Sequence, residues 1–466
     1  MTISQRVSRL ATFALAAAIF FSPVPEGLAS QAWHLFALFV AAIFSVVVGA
    51  FPILTAAVLA LAVAVLSGTL TPAEAYAGFA HGTILLIVIS FLVARAVVKC
   101  GFGQRVAHAV VGLFGRSTLG LVYSIFVVDA VIAPAFPSNT ARSGVLYPLT
   151  YSLAETAGAS PHDPERRKLG GLLMYSGMAS LSLSSSLWLT AMAANPLGAE
   201  IARPFGVKID FVSWFVASSL PTLTATLLLP LLLYRLLPPE VTATPEAPAK
   251  AKAALAALGP MSAHEWIVMG VFFAMVGLWA AATPLGIDPT AVAFLGLGTL
   301  LATGVLTLED ISKEGDVLAT YLWFAALFTL SSQLNTLGFM GYLGQRLAGG
   351  MGGLPWEVAG LLLVATYVLL HYLFVSQTAH QLALLGVFLG VGAKLGVPAA
   401  PLAFLLLFAT NFFSCITPQG SSANLLFLGP GYLSQSELYR LGAQVTLFNL
   451  LIYLVVGAPW LALVAD

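Results

Sequence analysis

Long apolar runs recur along almost the whole chain, separated by short clusters of Gly, Pro and charged residues. A helix needs about 20 mostly apolar residues to cross the hydrocarbon of a bilayer. In the first half these runs are Val7 to Pro23, Gln31 to Ala50, Ile53 to Gly68, Thr83 to Val98, an interrupted stretch from Leu169 to Ile201, and Phe211 to Leu237. The second half offers Glu265 to Ala282, Ala291 to Leu306, Leu318 to Leu334, an interrupted stretch from Pro401 to Leu428, and Tyr439 to Val464. The pattern predicts an all-α polytopic membrane protein with about eleven transmembrane helices plus two re-entrant hairpins.

Composition sharpens this. Of 466 residues 59% are hydrophobic and only 8% charged, with a mean hydropathy of +0.96, where a soluble domain carries about 25% charged residues. So few ionised groups cannot coat a water-soluble globule, which disfavours a soluble enzyme and a disordered chain. The 19 Lys and Arg balance 19 Asp and Glu, so no bulk charge draws the chain to nucleic acid, and membrane lipid is the expected surroundings. Cys100 and Cys415 lie far apart in apolar segments, form no CxxC motif and read as packing residues.

The few charges orient the chain. Arg6 and Arg9 precede the apolar run Leu10 to Phe21. Ser22-Pro23-Val24-Pro25 is a poor cleavage context and Leu28-Ala29-Ser30 a better one, and a retained first helix is favoured over a signal peptide. The positive-inside rule then places the N-terminus in the cytoplasm with Glu165-Arg166-Arg167-Lys168 and the Pro/Ala-rich linker, residues 238–262, which carries Lys250 and Lys252. Nothing basic follows Arg440, so the C-terminus is expected outside.

The chain also resembles itself. Ser138-Asn139-Thr140-Ala141-Arg142 has a counterpart 238 positions on in Ser376-Gln377-Thr378-Ala379-His380. Gly101-Phe102 matches Gly338-Phe339 at 237, and Glu74 matches Glu309 at 235. With the first helix set aside, each half has an odd number of crossings, so the copies would enter the membrane from opposite sides as an inverted-topology repeat. The expected boundaries are 1–237 for the first repeat, with a hairpin at about 118–157, and 263–466 for the second, with a hairpin at about 354–395.

Four polar interruptions sit in apolar surroundings. Pro134, Pro137 and Gly144 bracket the first motif; Leu361 to Val375 and Leu382 to Gly390 flank the second. Ser182 to Ser186 with Thr190 and Asn195-Pro196, and Ser414 to Asn424 with Thr417-Pro418-Gln419-Gly420, break two long helices. Irregular backbone at membrane depth is tolerated where protein or a water-filled cavity satisfies it, so one shared polar cavity is expected. Broken helices expose N-terminal amides that favour anions, and the nearby hydroxyls and carboxamides suit carboxylate oxygens. Arg142 and His380 occupy equivalent positions of the two motifs. An intramembrane Arg is costly and normally has a partner or a job, and it matches a carboxylate bidentately. The plainer reading is a snorkelling Arg and a packed His, which the duplicated position disfavours. Asp129 is another intramembrane acid whose counterpart at the same spacing is Tyr367; a structural salt bridge and a proton relay both stay open for it, outside the expected site.

Weaker patterns carry little. Gly349, Gly350, Gly352 and Gly353 lack the Lys-Ser/Thr of a phosphate loop, and His264-Glu265 lacks the second His of a zinc-protease helix. No G-x-S-x-G elbow occurs, so an intramembrane enzyme using Ser138 or Ser376 with His380 would need an unfamiliar arrangement. Neither catalytic nor metal-ligating residues are assigned.

The paired motifs resemble those of the divalent anion/sodium symporter family, whose hallmark is a Ser-Asn-Thr signature at each of two re-entrant tips. Pro137 to Gly144, Thr190-Ala191-Met192-Ala193-Ala194-Asn195-Pro196 and Gly429-Pro430-Gly431-Tyr432 look like its citrate/succinate and 2-oxoglutarate/malate exchanger branch. The resemblance implies a homodimer in a bacterial inner membrane that carries di- or tricarboxylates by an elevator movement. It implies substrate contacts from Ser138, Asn139, Thr140, Ser376, Gln377 and Thr378, with Thr190 and Thr417 lining the pocket. Gln377 departs from the Asn of sodium-coupled members, and the basic Arg142 and the protonatable His380 suggest charge supplied by the protein in place of sodium. Sodium-independent exchange without a cofactor is the expectation; Na⁺- or H⁺-coupled symport is the alternative.

Overall fold

Apolar segments in lipid must satisfy their own backbone, and Leu- and Ala-rich runs do so as helices. The computed structural model describes residues 3–163, 167–350 and 353–465; Glu165, Arg166 and Gly352 of the sequence patterns lie outside the described residues. Eight described helices are long and apolar enough to cross a membrane: Ser30–Val47, Gly82–Cys100, Thr118–Ala135, Phe211–Leu236, Ala263–Ala280, Gly315–Thr336, Trp356–Leu373 and Gln435–Val464. Ile53–Leu66, Pro289–Ala302 and Ala399–Cys415 are shorter apolar helices.

Both halves repeat one order of elements. Thr118–Ile132 and Trp356–Leu370 have 15 residues each, and Asn139–Thr156 and Gln377–Lys394 have 18 each. A 3-10 turn, Ala133–Ala135 or His371–Leu373, joins each pair. Gly101 and Gly338 both start a helix in the left-handed region, at φ 77 and 81, which only glycine adopts without strain. One residue marker shifts by a position. Thr71 caps a short helix with Glu74 as the reciprocal acid, and Thr307 does so with Asp310, so Asp310 rather than Glu309 is the counterpart of Glu74. The capping geometry demands an acid at the third helical residue, which Glu309 is not. Asp310 also accepts from Lys99 Nζ at 2.6 Å, and these hydrogen bonds hold its carboxyl well below the usual carboxylate range.

The chain forms two compact units. One comprises Met1–Val88, Pro196–Lys208 and Glu314–Leu406. In it Ile3–Phe20, Ser30–Val47 and Ile53–Leu66 pack in succession, Gly315–Thr336 lies against the latter two, and Phe339–Gly349 packs on Gln377–Lys394 of the second hairpin. That last approach is close because it is made by glycines: a Cβ on Gly344 would stand 2.8 Å from the Gly390 carbonyl carbon.

The other unit comprises Ile89–Asn195, Ile209–Lys313 and Leu407–Asp466. Its axis is Arg167–Leu187, buried at every residue from Leu169 to Leu187 and surrounded by Thr118–Ile132, Asn139–Thr156 and Phe211–Leu236. Serines on this helix reconcile polarity with burial, since Ser176, Ser180, Ser182 and Ser186 donate to carbonyls three or four residues back. The low-complexity linker is ordered. Its alanines form the helix Glu246–Ala257 against Phe102–Phe114, and Thr244 Oγ1 donates to the Gly115 carbonyl at 2.8 Å. The other weak patterns have structural partners: Glu265 completes the Ser262 cap and pairs with Arg105 at 2.6 Å, and Arg167 pairs with Glu437.

Candidate functional site

The first hairpin turns because Pro134 and Pro137 cannot continue a helix. The chain leaves Thr118–Ile132, makes the Ala133–Ala135 turn and restarts at Asn139. Ser138, extended at φ −149 and ψ 126, caps the new helix by accepting from the Ala141 amide at 3.3 Å. Ser376 has the same φ and ψ and accepts from the Ala379 amide at the same distance. The duplicated serines are therefore N-caps of 18-residue helices, with a half-buried hydroxyl at each tip.

Arg142 lies one turn beyond the first cap and is fully buried. Its guanidinium is enclosed by oxygen. Nη1 donates to the Ala191 carbonyl at 3.1 Å, and Nη2 donates to Asn139 Oδ1 at 2.6 Å, Ser185 Oγ at 2.7 Å and the Leu181 carbonyl at 3.2 Å. Nε stands 3.2 Å from Oδ1 of Asp129, also fully buried, as a charge contact. Ser184 donates to the other Asp129 oxygen at 2.6 Å. The hairpin tip and the broken helix after Leu187 are thus tied through one cation. Further ties run between the same elements: Thr190 Oγ1 donates to the Pro134 carbonyl at 3.0 Å, the Ala193 amide to the Pro137 carbonyl at 2.9 Å, and Trp188 Nε1 to the Ala130 carbonyl at 3.0 Å.

Two asparagines close the helix breaks in the same way. Asn195 Nδ2 donates to the Ser185 and Trp188 carbonyls, ten and seven residues back, at 2.8 and 3.1 Å. Asn424 Nδ2 donates to the Ser414 and Thr417 carbonyls, again ten and seven back, at 2.8 and 3.0 Å. Asn195 Oδ1 also accepts from Asn411 Nδ2 at 2.8 Å. Within the second break, Thr417 is buried and its hydroxyl has no hydrogen-bond partner among the described residues. The loop beyond it reaches the hairpin tip, where Ser422 and Thr140 share a 2.6 Å hydrogen bond.

Ser138, Asn139, Thr140, Arg142, Thr190 and Thr417 accordingly share one unit. Ser376, Gln377, Thr378 and His380 lie in the other. There His380 is fully buried beneath the tip, its ring stacked on Phe374 and tilted against Tyr367, and its Nδ1 is 3.1 Å from Nδ1 of buried His371. A hydrogen bond between two Nδ1 atoms needs one donor and one acceptor, so that contact holds at most one of the two rings as a cation. The site residues expected from sequence do not include Asp129, Ser185, Asn411 and Asn424, which lie in or beside the recognised interruptions, nor His371. Tyr367, the counterpart of Asp129, touches His380 as Asp129 touches Arg142, so one position faces the basic residue in both copies.

The family described as the sodium:sulfate symporter transmembrane region matches residues 4–465. The chain belongs to this family, the divalent anion/sodium symporters. It is thereby a membrane transporter and not an enzyme. A Bacillus subtilis (strain 168) protein, YflS, provisionally named as a malate transporter, is 39% identical over 97% of this chain and 95% of its own. The citrate/succinate antiporter of Escherichia coli (strain K12) is 30% identical over 97% of each chain. The crystal structure of the Alcanivorax borkumensis YdaH transporter superposes on 99% of this chain and 98% of its own, with a TM-score of 0.61 at 17% identity, a shared fold.

Proposed function

We propose that this family member exchanges di- or tricarboxylates of the malate, succinate, 2-oxoglutarate or citrate type across a bacterial inner membrane. Ser138, Asn139, Thr140, Ser376, Gln377 and Thr378 bind the substrate carboxylates, and Thr190 and Thr417 complete the site. The names of the B. subtilis and E. coli relatives support the substrate class, and the latter's supports exchange. The observation that carries the reading is the oxygen cage around Arg142. Five protein oxygens are spread around the three nitrogens of one guanidinium, so the cation that holds this tip is part of the chain. A cation bonded to the chain cannot dissociate, so the first tip stays formed without sodium. Arg142 then acts on substrate through Asn139, which it orients, and His380 supports the second tip from below in the same sense.

Exchange follows from the cost of returning empty. Each tip is a helix N-terminus equivalent to about half a positive charge, and a dianion neutralises what an unloaded carrier leaves bare. The protein works as a homodimer by an elevator movement, with its N-terminus in the cytoplasm and its C-terminus outside. Proteoliposomes test this. Uptake of labelled malate is expected to need unlabelled dicarboxylate inside and to proceed without sodium; uptake into empty vesicles driven by external sodium would instead establish symport.

A further inference from the structure

Asp129 has no place in the carboxylate-binding set, yet it is fully buried and faces Arg142 at 3.2 Å. Its second oxygen is held by Ser184 at 2.6 Å, from the helix whose Ser185 also binds Arg142. An isolated buried guanidinium would draw anionic ligand toward itself, whereas a paired one carries no net charge and keeps only its hydrogen-bond geometry. Every nitrogen of Arg142 is already within reach of a protein oxygen, so little remains for direct ligand contact. The counterpart position shows the same logic without charge: beside His380 stands the ring of Tyr367.

We propose that Asp129 is a positioning and charge-setting residue: it cancels the charge of Arg142, so that the arginine serves as a tether for Asn139 and the hairpin tip, and it thereby fixes the preference for dianions over trianions. The proposal rests on carboxylate transport at this tip. Removing the acid alone leaves one uncompensated positive charge behind the tip, which favours the more negative substrate. Removing the arginine alone leaves one uncompensated negative charge, which repels every carboxylate. Removing both restores neutrality and costs only the tether.

The test is a cycle of Asp129→Asn, Arg142→Gln and the double variant. Thermal unfolding of each purified protein and exchange of succinate and of fully ionised citrate in proteoliposomes are measured. Arg142→Gln is expected to slow succinate exchange by about a hundredfold, and the double variant to recover at least about tenfold of that loss. Asp129→Asn is expected to raise the citrate-to-succinate ratio by about tenfold, the scale of one unit charge acting across a partly polar medium. A purely structural role would lower both fluxes together and leave that ratio unchanged. A double variant as slow and as thermolabile as Arg142→Gln, or an unmoved ratio in Asp129→Asn, overturns the proposal. Should the wild type move no carboxylate, the transport reading fails by itself, and the unfolding midpoints still decide the pairing: midpoints that drop in each single variant and rise again in the double uphold it, and simple additivity rejects it.

Discussion

Arg142→Ala is expected to abolish carboxylate exchange while protein continues to accumulate in the membrane. The alanine removes at once the donors that hold Asn139, Ser185 and the Leu181 and Ala191 carbonyls, and it strands Asp129. Breaking a buried pair from one side costs about 3–5 kcal/mol, and about 1.36 kcal/mol is tenfold, so the ordered tip falls by two orders of magnitude or more. That cost is borne locally. The guanidinium bonds Leu181 and Ser185 of the helix Arg167–Leu187, but the packing of that helix against Phe211–Leu236 does not depend on it, which is why insertion should survive. Membrane yield by immunoblot and initial exchange rate separate the two effects; near-normal exchange would remove Arg142 from the site.

Asn195→Leu and Asn424→Leu form the second large effect, and they strike the fold before the chemistry. Each carboxamide supplies both hydrogen bonds across a helix break: Asn195 to Ser185 and Trp188, Asn424 to Ser414 and Thr417. Leucine keeps the branched shape but takes the side-chain donor from the buried Ser185 or Ser414 carbonyl, at about 1–3 kcal/mol, and leaves Trp188 or Thr417 with only the backbone donor of Ala191 or Gly420. Both variants should unfold at clearly lower temperature and give low folded yield in detergent. Asn195→Leu is expected to suffer more, because Asn411 also loses the acceptor it has in Asn195 Oδ1. Wild-type unfolding temperatures in both would mean that water satisfies the breaks and that the asparagines are dispensable.

The sequence made the frame readable because membrane helices are dictated by length and hydropathy, and because each weak signal occurs in both halves. Ser138 and Ser376 were visible as a pair, and they adopt the same dihedral angles. Asn195 and Asn424 stood out as polar interruptions, but spacing alone does not reveal that each reaches back seven and ten residues. Asp129 was set aside since its counterpart is Tyr367, a symmetry test that assumes both copies keep the same residue. What the copies keep is the contact. A buried arginine stands against an acid in one half, and a buried histidine packs against a phenol ring in the other. His371 was hidden for a related reason: its counterpart is Ala133, so the imidazole pair exists in one copy only. The linker was misleading in composition, since its Pro and Ala suggest low complexity while its alanines and Thr244 fix it against Phe102–Phe114.

The most direct measurement is the sodium dependence of malate-for-malate exchange by purified protein in proteoliposomes, with sodium replaced by choline on both sides. On the proposed function the cation that holds the first tip is the guanidinium of Arg142, and equal initial rates in the two media are expected. A rate that vanishes in choline and rises saturably with added sodium would contradict it, since Arg142 would then leave a cation still to be bound.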